Sequence, residues 1–127
     1  MPKNKTILII EDEKSLRGAL VDILLLKEFV TLEAKNGKEG LEFALEKHPD
    51  LILLDLIMPE MDGQTFLKKL REDAWGKKVP IIILTNLSET NKQSAAQVAS
   101  HEPTLYLIKS DWKLHDIVDK IDKLLKI

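Results

Sequence analysis

The chain of 127 residues contains no cysteine, which excludes disulfides, thiolate catalysis and cysteine-bound zinc. It has little net charge: 19 basic residues stand against 21 acidic ones, a formal charge of −2. Such a balance gives no general reason to expect nucleic acid or an anionic membrane as partner. No apolar run approaches membrane-spanning length. The basic start at Met1–Lys5 is followed by an apolar stretch that ends at Glu11, too short for a signal-peptide core. Aromatic residues are only 5% of the chain, and Trp75 and Trp112 read first as local packing. His48, His101 and His115 are scattered without ligand spacing. The expectation is a soluble, cytoplasmic protein. What is present in quantity is hydrophobic residue, 44%, and charged residue, 31%. That content at this length suits one domain over 1–127, with no linker or repeat.

The chain alternates between two periodicities. Ile7-Leu8-Ile9-Ile10, Leu51-Ile52-Leu53-Leu54, Ile81-Ile82-Ile83-Leu84 and Leu105-Tyr106-Leu107-Ile108 are short apolar runs bounded by polar residues. They read as strands buried on both faces. Val30-Thr31-Leu32-Glu33-Ala34 alternates apolar and polar, as an edge strand does. Between the runs, apolar residues recur at helical spacing: Leu16, Leu20, Ile23, Leu24; then Leu41, Ala44, Leu45; then Phe66, Leu67, Leu70. A last helix carries Leu114, Ile117, Val118, Ile121, Leu124 and Leu125. The polar, alanine-containing stretch 88–100 gives a further, weaker helix, fourth in order. Asn36, Asp62, Ser88 and Ser110 or Asp111 are suitable caps. Five β-α units predict a five-stranded parallel sheet in order 2-1-3-4-5, flavodoxin-like and doubly wound, with five helices.

In open α/β sheets, ligands bind beyond the carboxyl ends of the strands. The residues there are Glu11-Asp12, Asp55, Thr85 and Lys109. Taken singly, each has a plainer reading: a helix cap, a turn hydroxyl, a surface lysine. Topology would gather them into one shallow pocket. Three neighbouring carboxylates repel unless a cation or protons intervene. Oxygen-only ligands in a part-open site suit Mg²⁺. The remaining ammonium and hydroxyl suit a tetrahedral oxyanion, and a carboxylate can attack phosphorus to form an aspartyl-phosphate.

The run Leu53-Leu54-Asp55-Leu56-Ile57-Met58-Pro59-Glu60-Met61-Asp62-Gly63 resembles the response-regulator receiver family of two-component signalling, in its single-domain, chemotaxis-type form. The other landmarks, residues 7–13, 80–85 and 106–109, match in order, so the resemblance runs over about 6–125, almost the whole chain, and implies a receiver-domain core with those bounds. It implies a phosphorelay protein, a phosphoacceptor rather than an enzyme. Asp55 would receive a phosphoryl group from a phosphohistidine. Asp12, Asp55 and the Ile57 carbonyl would ligate Mg²⁺, with Glu11 acting through water. Lys109 and Thr85 would contact phosphoryl oxygens, and Tyr106 would be the switch aromatic. The output surface implied is that of the fourth helix, fifth strand and fifth helix, here roughly 88–100, 105–108 and 112–126. The partners implied are a sensor histidine kinase or phosphotransfer protein and a downstream protein target. A phosphorylation-linked dimer is one further option; direct nucleic-acid or membrane binding is not expected.

Three positions depart from the family pattern. Glu11 stands where an aspartate is usual, and its extra methylene is expected to push the carboxylate outward. Asn86 replaces a small residue after Thr85, which predicts slower access to the phosphoryl group. Ser110 replaces a proline after Lys109. A cis bond before a non-proline residue costs about 2.5–4 kcal/mol, so a trans bond, or a strained cis one, is expected there. These departures support an alternative: a pseudo-receiver that binds proteins without phosphotransfer. A Mg²⁺-dependent phosphohydrolase is the weakest reading, because Ile57 occupies the position where a second acid would stand.

Overall fold

The computed structural model describes residues 5–55, 63–85, 105–108 and 113–125, with backbone alone at 63, 64, 85 and 105–108. Strands are β1 (Thr6–Ile10), β2 (Val30–Ala34), β3 (Leu51–Asp55), β4 (Ile81–Thr85) and β5 (Leu105–Ile108). Helices are α1 (Lys14–Leu26), α2 (Gly37–Lys47), α3 (Gly63–Glu72) and α4 (Leu114–Leu125). The helix expected over 88–100, and the caps expected at Asp62, Ser88, Ser110 and Asp111, lie outside the described residues. The sheet is parallel throughout, in the order β2-β1-β3-β4-β5. No described helix is long and apolar enough to cross a membrane.

The isoleucine- and leucine-rich runs form central strands because both their faces are covered. Alternation along each strand splits them between two cores. Leu8, Ile10, Ile52, Leu54, Ile81 and Ile83 pack with Ala44 of α2 and Phe66, Leu67 and Leu70 of α3. Ile7, Ile9, Leu51, Leu53, Ile82 and Leu84 pack with Leu20 and Leu24 of α1 and Ile117, Val118 and Ile121 of α4. β2 is the partly exposed edge strand, with Val30 49% accessible.

Helix ends follow local chemistry. The α1 C-terminus closes with Phe29 N–H donating to the Leu24 carbonyl (3.0 Å) and Glu28 N–H to that of Leu25 (3.0 Å). This is the Schellman arrangement, and it puts Glu28 in the left-handed region at φ 68°. Phe29 and Leu24 meet in the core beneath it. Asn36 caps α2 as expected, its side chain accepting from Glu39 N–H at 2.8 Å. The buried stripe of α2 is Gly37, Gly40 and Ala44, whereas Leu45 is 39% exposed. Small residues let α2 approach β1: a Cβ at Gly40 would lie 2.7 Å from Ile10 Cγ1. That closeness rotates Leu45 away from the core, although periodicity alone groups it with Ala44.

Candidate functional site

Pairing of Ile10 with Leu54 in β1 and β3 brings the next residues, Glu11 and Asp55, to the same level at the carboxyl edge of the sheet. Glu11 N–H donates to the Ala34 carbonyl at 3.0 Å, extending the β1–β2 ladder one residue past the strand. The chain then turns into α1 through Asp12 and Glu13. Glu13 caps the helix in an extended conformation without a side-chain cap bond. Its N–H instead donates to Glu11 Oε2 at 3.2 Å.

Glu11 is therefore not pushed outward. It is 2% exposed, because the longer side chain folds back over the turn and accepts that amide. Asp55 is 6% exposed, while Asp12 faces solvent. One carboxylate oxygen from each of Glu11, Asp12 and Asp55 lies within 4.8 Å of the others. Arg17, in the second turn of α1, donates from Nη1 to the Glu11 carbonyl at 2.8 Å and from Nε to Glu33 Oε1 at 3.3 Å.

The donor set fits a hard divalent cation. An octahedral ion with metal–oxygen distances of 2.0–2.1 Å places neighbouring ligand oxygens about 3 Å apart and opposite ones about 4 Å apart. Oxygens within 4.8 Å of one another reach it by closing up to about 2 Å, a shift that carboxylate side chains and intervening water can supply. The cluster offers only oxygen, and the solvent-facing side at Asp12 leaves room for water ligands, as Mg²⁺ prefers. Two of the three acids are nearly buried, so their charges are poorly screened by water and favour a cation between them.

The structure thus brings Glu11, Asp12 and Asp55 together. Asp55 pairs with Leu84, and the Thr85 backbone stands one residue beyond, paired with Ile108. Tyr106 occupies β5 opposite Ile83. Ile57, Asn86, Lys109 and Ser110 lie outside the described residues, as do the side chains of Thr85 and Tyr106. Sequence reasoning missed Arg17. Its only signal is a position one turn into the helix that follows the acidic pair, which many solvated arginines share.

The opposite edge of the sheet carries different chemistry. His48, the α2 C-cap at φ 48°, stacks on Trp75 with ring centroids 4.3 Å apart and planes 9° from parallel. Beside the stack is a cavity of about 330 Å³ lined by His48, Asp50, Trp75, Lys78 and their neighbours.

Residues 7–122 match the family model described as response regulator receiver domain. The chain is 37% identical over 121 residues to the transcriptional regulatory protein SrrA of Staphylococcus aureus, covering 94% of this chain and 47% of that protein. It is 42% identical over 86 residues to histidine kinase P4 of Formosa agariphila, covering 68% of this chain and 6% of that protein. It thus spans less than half the length of either relative. Among solved structures, the signal receiver domain of a signal transduction histidine kinase from Syntrophus aciditrophicus superposes with a TM-score of 0.87. That match has 29% identity and covers 96% of this chain and 90% of the other. The receiver domain of a sensor histidine kinase from Pseudomonas aeruginosa, solved with magnesium coordinated in its active-site cleft, superposes at 0.86. At 21% identity, covering 98% of this chain and 99% of that one, it bears on the fold alone.

Proposed function

This chain belongs to the response regulator receiver domain family, and from that premise we propose that it accepts a phosphoryl group on Asp55 and signals by the resulting change of surface. The observation that carries the reading is the convergence of Glu11, Asp12 and Asp55 at the carboxyl edge of β1 and β3. The chain is a phosphoacceptor rather than an enzyme with an external substrate, and its proposed setting is the cytoplasm.

Asp12, Asp55 and the Ile57 carbonyl would hold Mg²⁺, with Glu11 contributing through water. When bound, that ion supplies positive charge for the phosphoryl oxygens. The Asp55 carboxylate oxygen attacks phosphorus as the P–N bond to the donor imidazole breaks, and the imidazole nitrogen takes up a proton. Thr85 and Lys109 bind the oxygens of the transferred group, and Tyr106 turns inward as Thr85 moves. The switch works only as far as the phosphoryl group favours the active arrangement over the inactive one. The surface altered is that of 88–100, 105–108 and 112–126. The donor is a phosphohistidine on a sensor histidine kinase or phosphotransfer protein, and the receiver of the signal is a protein partner, with a second copy as one option.

Incubation with Mg²⁺ and acetyl phosphate tests the reading by intact mass. One phosphoryl group should be gained by the wild type and none by Asp55→Asn. An unmodified wild type that also fails to bind beryllofluoride with Mg²⁺ would make the chain an interaction module without phosphotransfer. Turnover of varied phosphate esters would make it a hydrolase.

A further inference from the structure

The turn that carries Glu11 and Asp12 is fixed by a side chain to which the phosphoryl reading gives no part. Arg17 runs back toward the N-terminus of α1, the direction helical side chains take. Its Nη1 donates to the Glu11 backbone carbonyl at 2.8 Å, and its Nε to Glu33 Oε1 at 3.3 Å. The Arg17 side chain is 17% exposed and that of Glu33 51%. Glu33 lies in β2 opposite Ile9, so one guanidinium joins helix, turn and edge strand.

The peptide groups on both sides of Glu11 are held, the second of them by Arg17. The N–H before its Cα is bonded to the Ala34 carbonyl at 3.0 Å, and the carbonyl after it to Arg17. The second of these peptides leads directly to Asp12, so its orientation decides where the Asp12 carboxylate starts from. Released from Arg17, that peptide could rotate and carry Asp12 away from Asp55. A planar guanidinium holds a carbonyl and a carboxylate at once through N–H groups at fixed angles, which an ammonium cannot reproduce. It also places a fixed positive charge beside a turn bearing two carboxylates.

From this geometry we infer that Arg17 is a positioning residue for the cation site. It fixes the Glu11–Asp12 peptide so that both carboxylates converge on Asp55, and it touches neither metal nor phosphoryl group. The inference rests on the reading of the acidic cluster as a Mg²⁺ site.

The test is the Mg²⁺ dissociation constant, measured on the whole chain by titrating Mg²⁺ alone and following backbone amide NMR shifts. Arg17→Met should weaken binding about tenfold, the scale seen when partners that orient metal ligands are removed. Arg17→Lys keeps one donor and should recover part of that loss. Glu33→Gln leaves the Glu11 carbonyl bond in place and should change affinity by less than Arg17→Met does. A purely structural role would lower the melting temperature of these variants without ordering their Mg²⁺ affinities in this way. Should Arg17→Met not fold, the lysine and glutamine variants carry the comparison: lysine must bind Mg²⁺ more weakly than glutamine does. Wild-type affinity in Arg17→Met, or equal loss in the methionine and lysine variants, overturns the inference while leaving the Mg²⁺ site intact. Absence of Mg²⁺-dependent shifts at Glu11, Asp12 and Asp55 in the wild type overturns the site reading and this inference together.

Discussion

Replacing Asp55 by asparagine should stabilise the metal-free protein while removing its function. Three carboxylates lie within 4.8 Å, and Asp55 takes part in two of the three pairs. At that separation two unit charges repel by about 0.9 kcal/mol in bulk water and about 3.5 kcal/mol at an effective dielectric near 20. Asp12 faces solvent, so its pair with Asp55 lies near the lower figure; Glu11 is 2% exposed, so its pair lies above it. The gain is taken well below the sum of the two pairs, because Asp55 also takes part in a further interaction that the substitution can disturb. The net gain expected is about 1–2 kcal/mol, or roughly 3–8 °C in melting temperature for a domain of this size. Mg²⁺ should reverse the ranking, since a ligand that binds only the folded state stabilises it and the variant has lost a ligating charge. Urea unfolding followed by circular dichroism, with EDTA and then with saturating Mg²⁺, measures both effects, with an unchanged denaturant slope as the control. A metal-free variant no more stable than wild type would mean that the acids do not repel as their spacing implies. Equal stabilisation of both proteins by Mg²⁺ would place the ion elsewhere.

Two further substitutions test the frame around the site. Glu28→Gly should stabilise the fold by about 0.5–1 kcal/mol, because a side chain at φ 68° carries a left-handed penalty that glycine lacks; no gain in urea midpoint would refute that view of the α1 terminus. Gly40→Ala should destabilise by about 1–2 kcal/mol, since overpacking against Ile10 outweighs the gain in helix propensity. Pairing it with Ile10→Val, which removes the colliding Cδ1, should recover part of the loss in a double-mutant cycle.

Much of this architecture was legible because it is written in runs. The strands at Ile7–Ile10, Leu51–Leu54 and Ile81–Leu84 are apolar at every position, and runs so short and rich in isoleucine and leucine suit a sheet covered on both faces. Asn36 was legible as a cap because asparagine is a preferred residue type at that position, its side-chain oxygen reaching the backbone amide three residues on. The grouping of Glu11, Asp12 and Asp55 followed from strand order, since chemistry at the carboxyl edge is a property of topology rather than of sequence neighbours. The rest depends on distances that sequence spacing does not encode. Leu45 is helical in period yet exposed, because α2 rests on Gly40 and Ala44 instead. The inward fold of Glu11 depends on one amide, that of Glu13, and the role of Arg17 on a carbonyl six residues earlier in the chain. Neither partner is a side chain, so no pairing of residue types announces them.

The stack of His48 on Trp75 has a practical consequence. His48 and Trp75 precede β3 and β4, and β3 itself runs roughly 13 Å from Leu51 to Asp55. Unfolding should separate the two rings and change the surroundings of the indole, whereas the acidic edge lies at the other end of the strands. Trp75 emission is therefore expected to follow unfolding, and a Mg²⁺ titration of the folded protein that leaves it unchanged would qualify it as a gauge of folding alone. A Trp112→Phe background isolates that signal from the other indole.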